Sequence, residues 1–141
     1  AYLGLKDTEE VGGFLHRFVA SDQAHELHCH PWIWSLSFIL DGAYEEHNAL
    51  GTFTGSDQKK AILRSPIYKL VKAGDRNLIL GNTFHRVELI SPEVWPLFIH
   101  GPRVQRWGFV PVNRYDEPLP VRLVEGRTFN RAKKGNMEEV E

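Results

Sequence analysis

The sequence predicts an all-β domain, closed into a barrel or packed as a sandwich. Three observations carry this reading. No long segment shows the 3.6-residue apolar period of an amphipathic helix. Short runs rich in aromatic and β-branched residues recur from Gly12 to Val110, with turn residues between them. Dipeptides such as Asp41-Gly42 and Gly81-Asn82 punctuate those runs at close spacing, as sandwiches and barrels require.

In chain order, residues 13–19 (Gly-Phe-Leu-His-Arg-Phe-Val) read as a strand, and the polar 21–24 as a turn. Leu27-His28-Cys29-His30 continues as extended chain until Pro31, which lacks an N–H for a ladder and marks an edge or a bend. Residues 34–40 form a compact β run, Asp41-Gly42 turns it, and 43–48 return. The Gly-, Thr-, Ser- and Lys-rich 51–60 reads as an exposed loop. Strands are then expected over 61–63, 67–71, 77–80, 84–90, 95–100 and 104–110, with Gly74-Asp75, Gly81-Asn82 and Gly101-Pro102 as punctuation. Beyond Arg114 the prolines at 118 and 120 suggest a periphery. One domain over 1–125 is expected, followed by a charged, mobile tail at 126–141.

Bulk properties narrow the function classes. With 42% hydrophobic residues, 25% charged residues and a net charge of −1, the composition is that of a globular domain able to bury its own core. The absence of a basic excess argues against nucleic acid as partner. No apolar run approaches the length of a membrane span, so no membrane partner is expected. A single cysteine precludes an intrachain disulfide framework, and with no signal pattern the expected location is the cytoplasm.

The chemistry concentrates in His28-Cys29-His30. Side chains alternate along a strand, so both imidazoles share one face and offer a two-point nitrogen site for a divalent metal. His85, on the alternating run His85-Arg86-Val87-Glu88, is the third ligand candidate. Three neutral imidazoles leave the other coordination positions open for water, substrate or O2.

The run His28-Cys29-His30, then Ile39-Leu40-Asp41-Gly42, Gly74-Asp75 and His85-Arg86-Val87 resembles the two-motif signature of the cupin superfamily, over residues 12–110. The resemblance implies a double-stranded β-helix (cupin, or jelly-roll) barrel with metal ligands at His28, His30 and His85. Two departures matter. The Glu that cupins usually place four or five residues past the second His is replaced by Trp34 and Ser35. The Pro-x-Gly before the last His is replaced by Gly81-Asn82-Thr83-Phe84. A three-His site follows, similar to that of thiol dioxygenases of the cysteine dioxygenase type, with Gly42, Glu46 and His85 to Glu88 matching their pattern. Their later His falls at His100, but the accompanying Tyr would fall at Pro102, so their relay is broken. Small bacterial and phage cupins with a Leu-His-x-His-Pro-Trp motif look closer overall.

Other residues are weighed by position. Glu26 and Glu46 are candidates for a fourth ligand, and Glu46 could instead hold a ligand imidazole. Cys29 points to the opposite face by parity and is expected to pack. His100 is a candidate base or proton relay, with Glu46 sharing that role and His16 a weaker case; His47 is expected to be exposed. Arg17, Arg86, Arg103 and Arg106 could read an anionic substrate, since a guanidinium matches a carboxylate. Trp32, Trp34, Tyr44, Trp95 and Trp107 could wall the pocket.

The expected function is therefore that of a metal-dependent cupin enzyme, a non-haem Fe(II) dioxygenase acting on a small anionic metabolite. The cofactor is one divalent metal, with Fe(II) favoured and Zn, Mn or Ni as alternatives. Two other readings stay open: a lyase or isomerase using the metal as a Lewis acid, and a non-catalytic ligand-binding cupin. Cupins commonly pair, which leaves a homodimer open.

Overall fold

The structure, a computed structural model, describes residues 11–124 and the backbone of Met137–Glu139. Those residues form strands and turns, with no helix among them. The strands are β1 (Gly12–Phe18), β2 (Glu26–Cys29), β3 (Trp34–Asp41), β4 (Ala43–Phe53), β5 (Lys60–Leu63) and β6 (Ile67–Lys72). They continue as β7 (Arg76–Leu80), β8 (Thr83–Leu89), β9 (Trp95–His100), β10 (Trp107–Pro111), β11 (Pro118–Pro120), β12 (Arg122–Val124) and β13 (Met137–Glu139). Apart from β13, the expected mobile tail at 126–141 lies outside the described residues. No helix is long and apolar enough to cross a membrane, among the described residues.

The strands make two sheets. The smaller has the order β13-β1-β9-β3-β7, and the larger β11-β5-β4-β8-β2-β10-β12, with β6 also paired to β4. All their pairings are antiparallel, so alternation decides which residues face which layer. The inner face of the small sheet lies on the large one: Phe14 and Phe98 pack with Trp107 and Val124, and Ile39 packs with Tyr44, Val71 and Val87. At the β3–β4 turn Gly42 has φ +89, and a Cβ there would strike the Glu93 carbonyl. Glycine is required at that corner.

The large sheet also curls until β11 meets β10, so its central strands are covered on both faces. Leu27, Cys29, Ala49, Leu63, Phe84 and Leu119 form a second core on the side away from the small sheet. This is why the first five residues of β8 are all buried, where a half-exposed strand would alternate.

Three sequence expectations need correction. Residues 51–53, read as loop, finish β4, because Gly51 pairs with Leu63 and leaves room for the Phe84 ring where a Cβ would strike it. Residues 104–106, read as strand, precede β10, and the Gln105 amide instead ties the carbonyls of His30 and Gly81 together. Residues 118–120, read as periphery, form β11, with Leu119 fully buried. Proline is tolerated there because β11 is an edge strand that pairs with β5 on one side only.

Leu119 should therefore behave as a core residue. Leu119→Ala is expected to cost about 2–5 kcal/mol in chemical denaturation, the range for a buried leucine, whereas Pro118→Ala should stay within about 0.5 kcal/mol.

Candidate metal centre

The site is built on one rung of the large sheet. His28 on β2 stands opposite His85 on β8, and opposite Phe109 on β10 at its other side. Asn48 on β4 stands opposite His85 in turn. Directly opposed side chains have Cβ atoms about 5 Å apart, so this register alone brings His28 and His85 together. His30 follows β2 by one residue and keeps the parity of His28. Leu27 and Cys29, of the other parity, point into the second core. Burial pushes the Cys29 thiol up to about 12, so it stays protonated.

His28, His30 and His85 converge, each with a ligand nitrogen within 4.8 Å of the others, and all three are buried. The Nε2 atoms of His30 and His85 lie 3.0 Å apart. Two nitrogens bonded to one cation at about 2.1 Å sit about 3 Å apart when their bonds are near a right angle, so this separation fits a shared ion. The far sides of the rings fit as well. His85 Nδ1 is 3.0 Å from Glu46 Oε2, and because a carboxylate can only accept, that nitrogen carries the proton. The lone pair then resides on Nε2, facing His30. His30 Nδ1 meets Ser35 Oγ at 3.3 Å, so its Nε2 too is turned inward.

Glu46 is fully buried on β4, two residues before Asn48 and on the same face. Asn77 Nδ2 donates to its Oε2 at 2.7 Å, and the Lys69 ammonium lies 3.5 Å from Oε1. Burial raises the Glu46 carboxyl, but the hydrogen bond from His85, the charge His85 carries when protonated, then Lys69 and Asn77, outweigh it and hold the group at about 2. Asn77 Nδ2 also donates to the Tyr44 hydroxyl at 3.1 Å. Burial, then the charge on Glu46, pushes that hydroxyl above the usual tyrosine value, so it remains neutral.

Aromatic rings enclose the imidazoles. Trp107 and Trp32 meet His30 edge-on at centroid distances of 5.1 and 5.8 Å, and Phe98 does so at 5.9 Å. Phe109 stands 5.7 Å from His28, and the Arg122 guanidinium lies over Phe109 at 4.4 Å.

The remaining sequence candidates are distributed as follows. His100 is fully buried on β9, with Nδ1 3.0 Å from the Gly101 carbonyl and its ring stacked on Trp32 at 4.1 Å. His16 is buried beside Phe14. Glu26, on the His28 face but at the rim, pairs with Arg122 at 2.7 Å. Arg17 pairs with Glu93 at 2.8 Å on the far side of the small sheet. Arg86, of opposite parity to His85, reaches the carbonyls of Gln23 and Asp22 and the Glu88 carboxylate. Arg103 and Arg106 are exposed, and the Arg103 backbone bridges to Trp32. Trp34 packs on Gly101, where a Cβ would collide with its indole, while its neighbour Ser35 faces the imidazoles. Trp95, of the same parity on β9 as Leu97, binds Glu93 through Nε1. His47 is half-buried and paired to Glu45 at 2.9 Å.

Six residues escaped the sequence reading: Ser35, Lys69, Asn77, Phe98, Phe109 and Arg122. Ser35 had a signal, since it occupies the place where cupins usually carry their ligand Glu.

No family model and no curated protein matches the sequence. Among solved structures, the chain is similar to an uncharacterised conserved protein with a double-stranded β-helix domain from Klebsiella pneumoniae. Identity is 16%, coverage 81% of this chain and 83% of that one, and the TM-score 0.51. A cupin superfamily protein from Desulfitobacterium hafniense aligns at 14% identity over 72% of this chain and 76% of that one, TM-score 0.46. A hydroquinone 1,2-dioxygenase in complex with Cd2+ and 4-hydroxybenzonitrile aligns at 14% identity over 73% and 63%, TM-score 0.47. Together with the nearly closed barrel, the first of these shows the fold: this chain is a double-stranded β-helix, holding a buried three-histidine cluster.

Two outcomes follow for Glu46→Gln. Divalent-metal affinity by isothermal titration should fall about 10–100-fold, the usual effect of removing a carboxylate behind a ligand imidazole. In the metal-free protein the depressed carboxyl stabilises the fold above its ordinary value of 4.5, and this contribution is lost as pH falls towards about 2. The gap in denaturation midpoint between parent and variant should thus be constant near neutrality and close on acidification through that window.

Proposed function

We propose that the protein is a metal-dependent enzyme, a non-haem Fe(II) dioxygenase acting on a small anionic metabolite. One observation carries the reading: two buried imidazoles present Nε2 atoms 3.0 Å apart while the Nδ1 of one is committed to a buried carboxylate. A histidine pair serving packing alone would have no need of an ionised glutamate behind it, given the cost of burying that charge.

His28, His30 and His85 would hold the cation. Bound there, iron(II) would supply redox chemistry with O2 and a positive charge for a chelating carboxylate, thiolate or phenolate. The rest falls to the chain itself. Glu46, already ionised and accepting two hydrogen bonds, fixes the tautomer and orientation of His85. Trp32, Phe98, Trp107 and Phe109 exclude water and so strengthen polar contacts within the site. His100, whose Nδ1 is held by the Gly101 carbonyl, presents Nε2 as its basic nitrogen and is the residue assigned to proton transfer. Arg122, paired to Glu26 at the rim and lying over Phe109 beside His28, is better placed to guide an anion to the imidazoles than Arg17, on the far side of the small sheet, or Arg86, of opposite parity to His85.

Anaerobic reconstitution with Fe(II), followed by O2 uptake with thiols, catechol-like compounds and 2-oxo acids, tests the proposal. One iron per chain and uptake with one class, both abolished by His28→Ala, is the expected result. Arg122→Gln should raise KM for the active class more than it lowers kcat. Turnover of sugars or organic acids with Zn, Mn or Ni and no O2 uptake would favour the Lewis-acid reading instead. Ligand binding that survives His28→Ala, with no turnover, would make the barrel a binding module.

A further inference from the structure

The face of the large sheet that packs the second core does not stay apolar to its end. On β4 the residues of that face run Ala49, His47, Glu45, and on β8 they run Phe84, Arg86, Glu88. Ala49 and Phe84 lie in the core, whereas Glu45 and Glu88 open to solvent. Register sets Glu45 directly opposite Glu88, and His47 opposite Arg86. Two carboxylates so opposed, with Cβ atoms about 5 Å apart, repel one another and weaken the strand pairing. An imidazole stands beside them, with His47 Nε2 2.9 Å from Glu45 Oε1. One ligand atom from each of Glu45, His47 and Glu88 lies within 4.8 Å of the other two. The His47 side chain is 21% exposed, and Tyr68, opposite it on β6, packs edge-on against its ring at 4.5 Å, which restricts where the imidazole can turn. Arg86 reaches the carbonyls of Gln23 and Asp22 and lies 3.5 Å from Glu88. It offsets one of the two carboxylate charges, so with His47 neutral the group keeps a net negative charge.

We infer that Glu45, His47 and Glu88 form a second metal site, on the opposite face of the sheet from His28, His30 and His85, for a divalent first-row cation of the Zn(II) kind. The trio shares no ligand with the internal cluster, so this site stands or falls apart from the function proposed above. A nitrogen and an oxygen 2.9 Å apart match two ligands bound at about 2.1 Å to one cation with their bonds near a right angle. In the metal-free protein Nε2 carries a proton, because the carboxylate facing it can only accept. The cation takes the place of that proton, which leaves to solvent. A positive charge between Glu45 and Glu88 also turns their repulsion into attraction to a common centre. One imidazole nitrogen with two carboxylate oxygens suits Zn(II), whereas Mg(II) and Ca(II) take oxygen ligands. Open to water and screened by it, the trio should bind more weakly than the buried histidines and fill after them.

Titration of the full-length, chelator-stripped protein with Zn(II) by isothermal calorimetry, with bound zinc counted by elemental analysis after dialysis against a fixed free concentration, tests the inference. His47→Gln and the double variant Glu45→Gln/Glu88→Gln should each bind one Zn(II) fewer per chain than the parent, losing the weaker equivalent. His28→Ala should lose the tighter equivalent and keep the weaker one. Millimolar Mg(II) should displace neither. His25→Gln, which removes another exposed histidine beside a carboxylate, should leave the count unchanged. A zinc count that neither His47→Gln nor the double variant lowers overturns the inference, whatever His28→Ala does. So does loss of the weaker equivalent in His25→Gln, because that zinc must then sit elsewhere. Should His47→Gln fail to fold, the double variant decides, since its two side chains are about half exposed.

Discussion

The contact on which the site depends is the hydrogen bond from His85 Nδ1 to the buried Glu46 carboxylate. It sets the tautomer of His85, turns its Nε2 lone pair towards His30, and places a negative charge where burial alone would forbid one. That charge is tolerated because Asn77 and Lys69 complete its surroundings. Asn77 is delivered by β7 and Lys69 by β6, so strands from both sheets stabilise one carboxylate. The convergence of the three imidazoles is thus a property of the nearly closed barrel as a whole, of which the His-x-His strand is one part.

The same closure explains the distribution of polarity. The space between the sheets is occupied by histidines, a glutamate, an asparagine and serines, all of which need partners, and the aromatic rings pack around them. Apolar cohesion is supplied in part elsewhere, by the second core beneath β4, β8, β2 and β10. A polar interior therefore coexists with stability because the central strands are buried on both faces.

Much of this was readable in the sequence, and what was not has a common cause. The same-face placement of His28 and His30, with Cys29 opposed, follows from the two-residue period of a strand, which depends on no distant contact. The turn at Asp41-Gly42 follows from glycine's access to positive φ. His85 could be chosen by residue type and by its alternating surroundings. Asn77, Phe109 and Arg122 could not, because their approach to the site depends on register between strands far apart in sequence. The prolines flanking Leu119 read as breakers because nothing local signals that β11 is an edge strand. Proximity in sequence to His30 suggests Trp34 for the pocket wall, whereas β3 restarts the alternation after Pro31 and puts Ser35 on the inner face.

The central claim is that three imidazoles from β2, its extension and β8 bind one cation together. X-ray absorption at the metal edge of protein loaded with one equivalent of Fe(II) or Zn(II) addresses it most directly. The account predicts a first shell with three imidazole nitrogens, oxygen in the remaining positions and no sulfur. A shell holding one imidazole or none, or one containing the Cys29 thiolate, would contradict it.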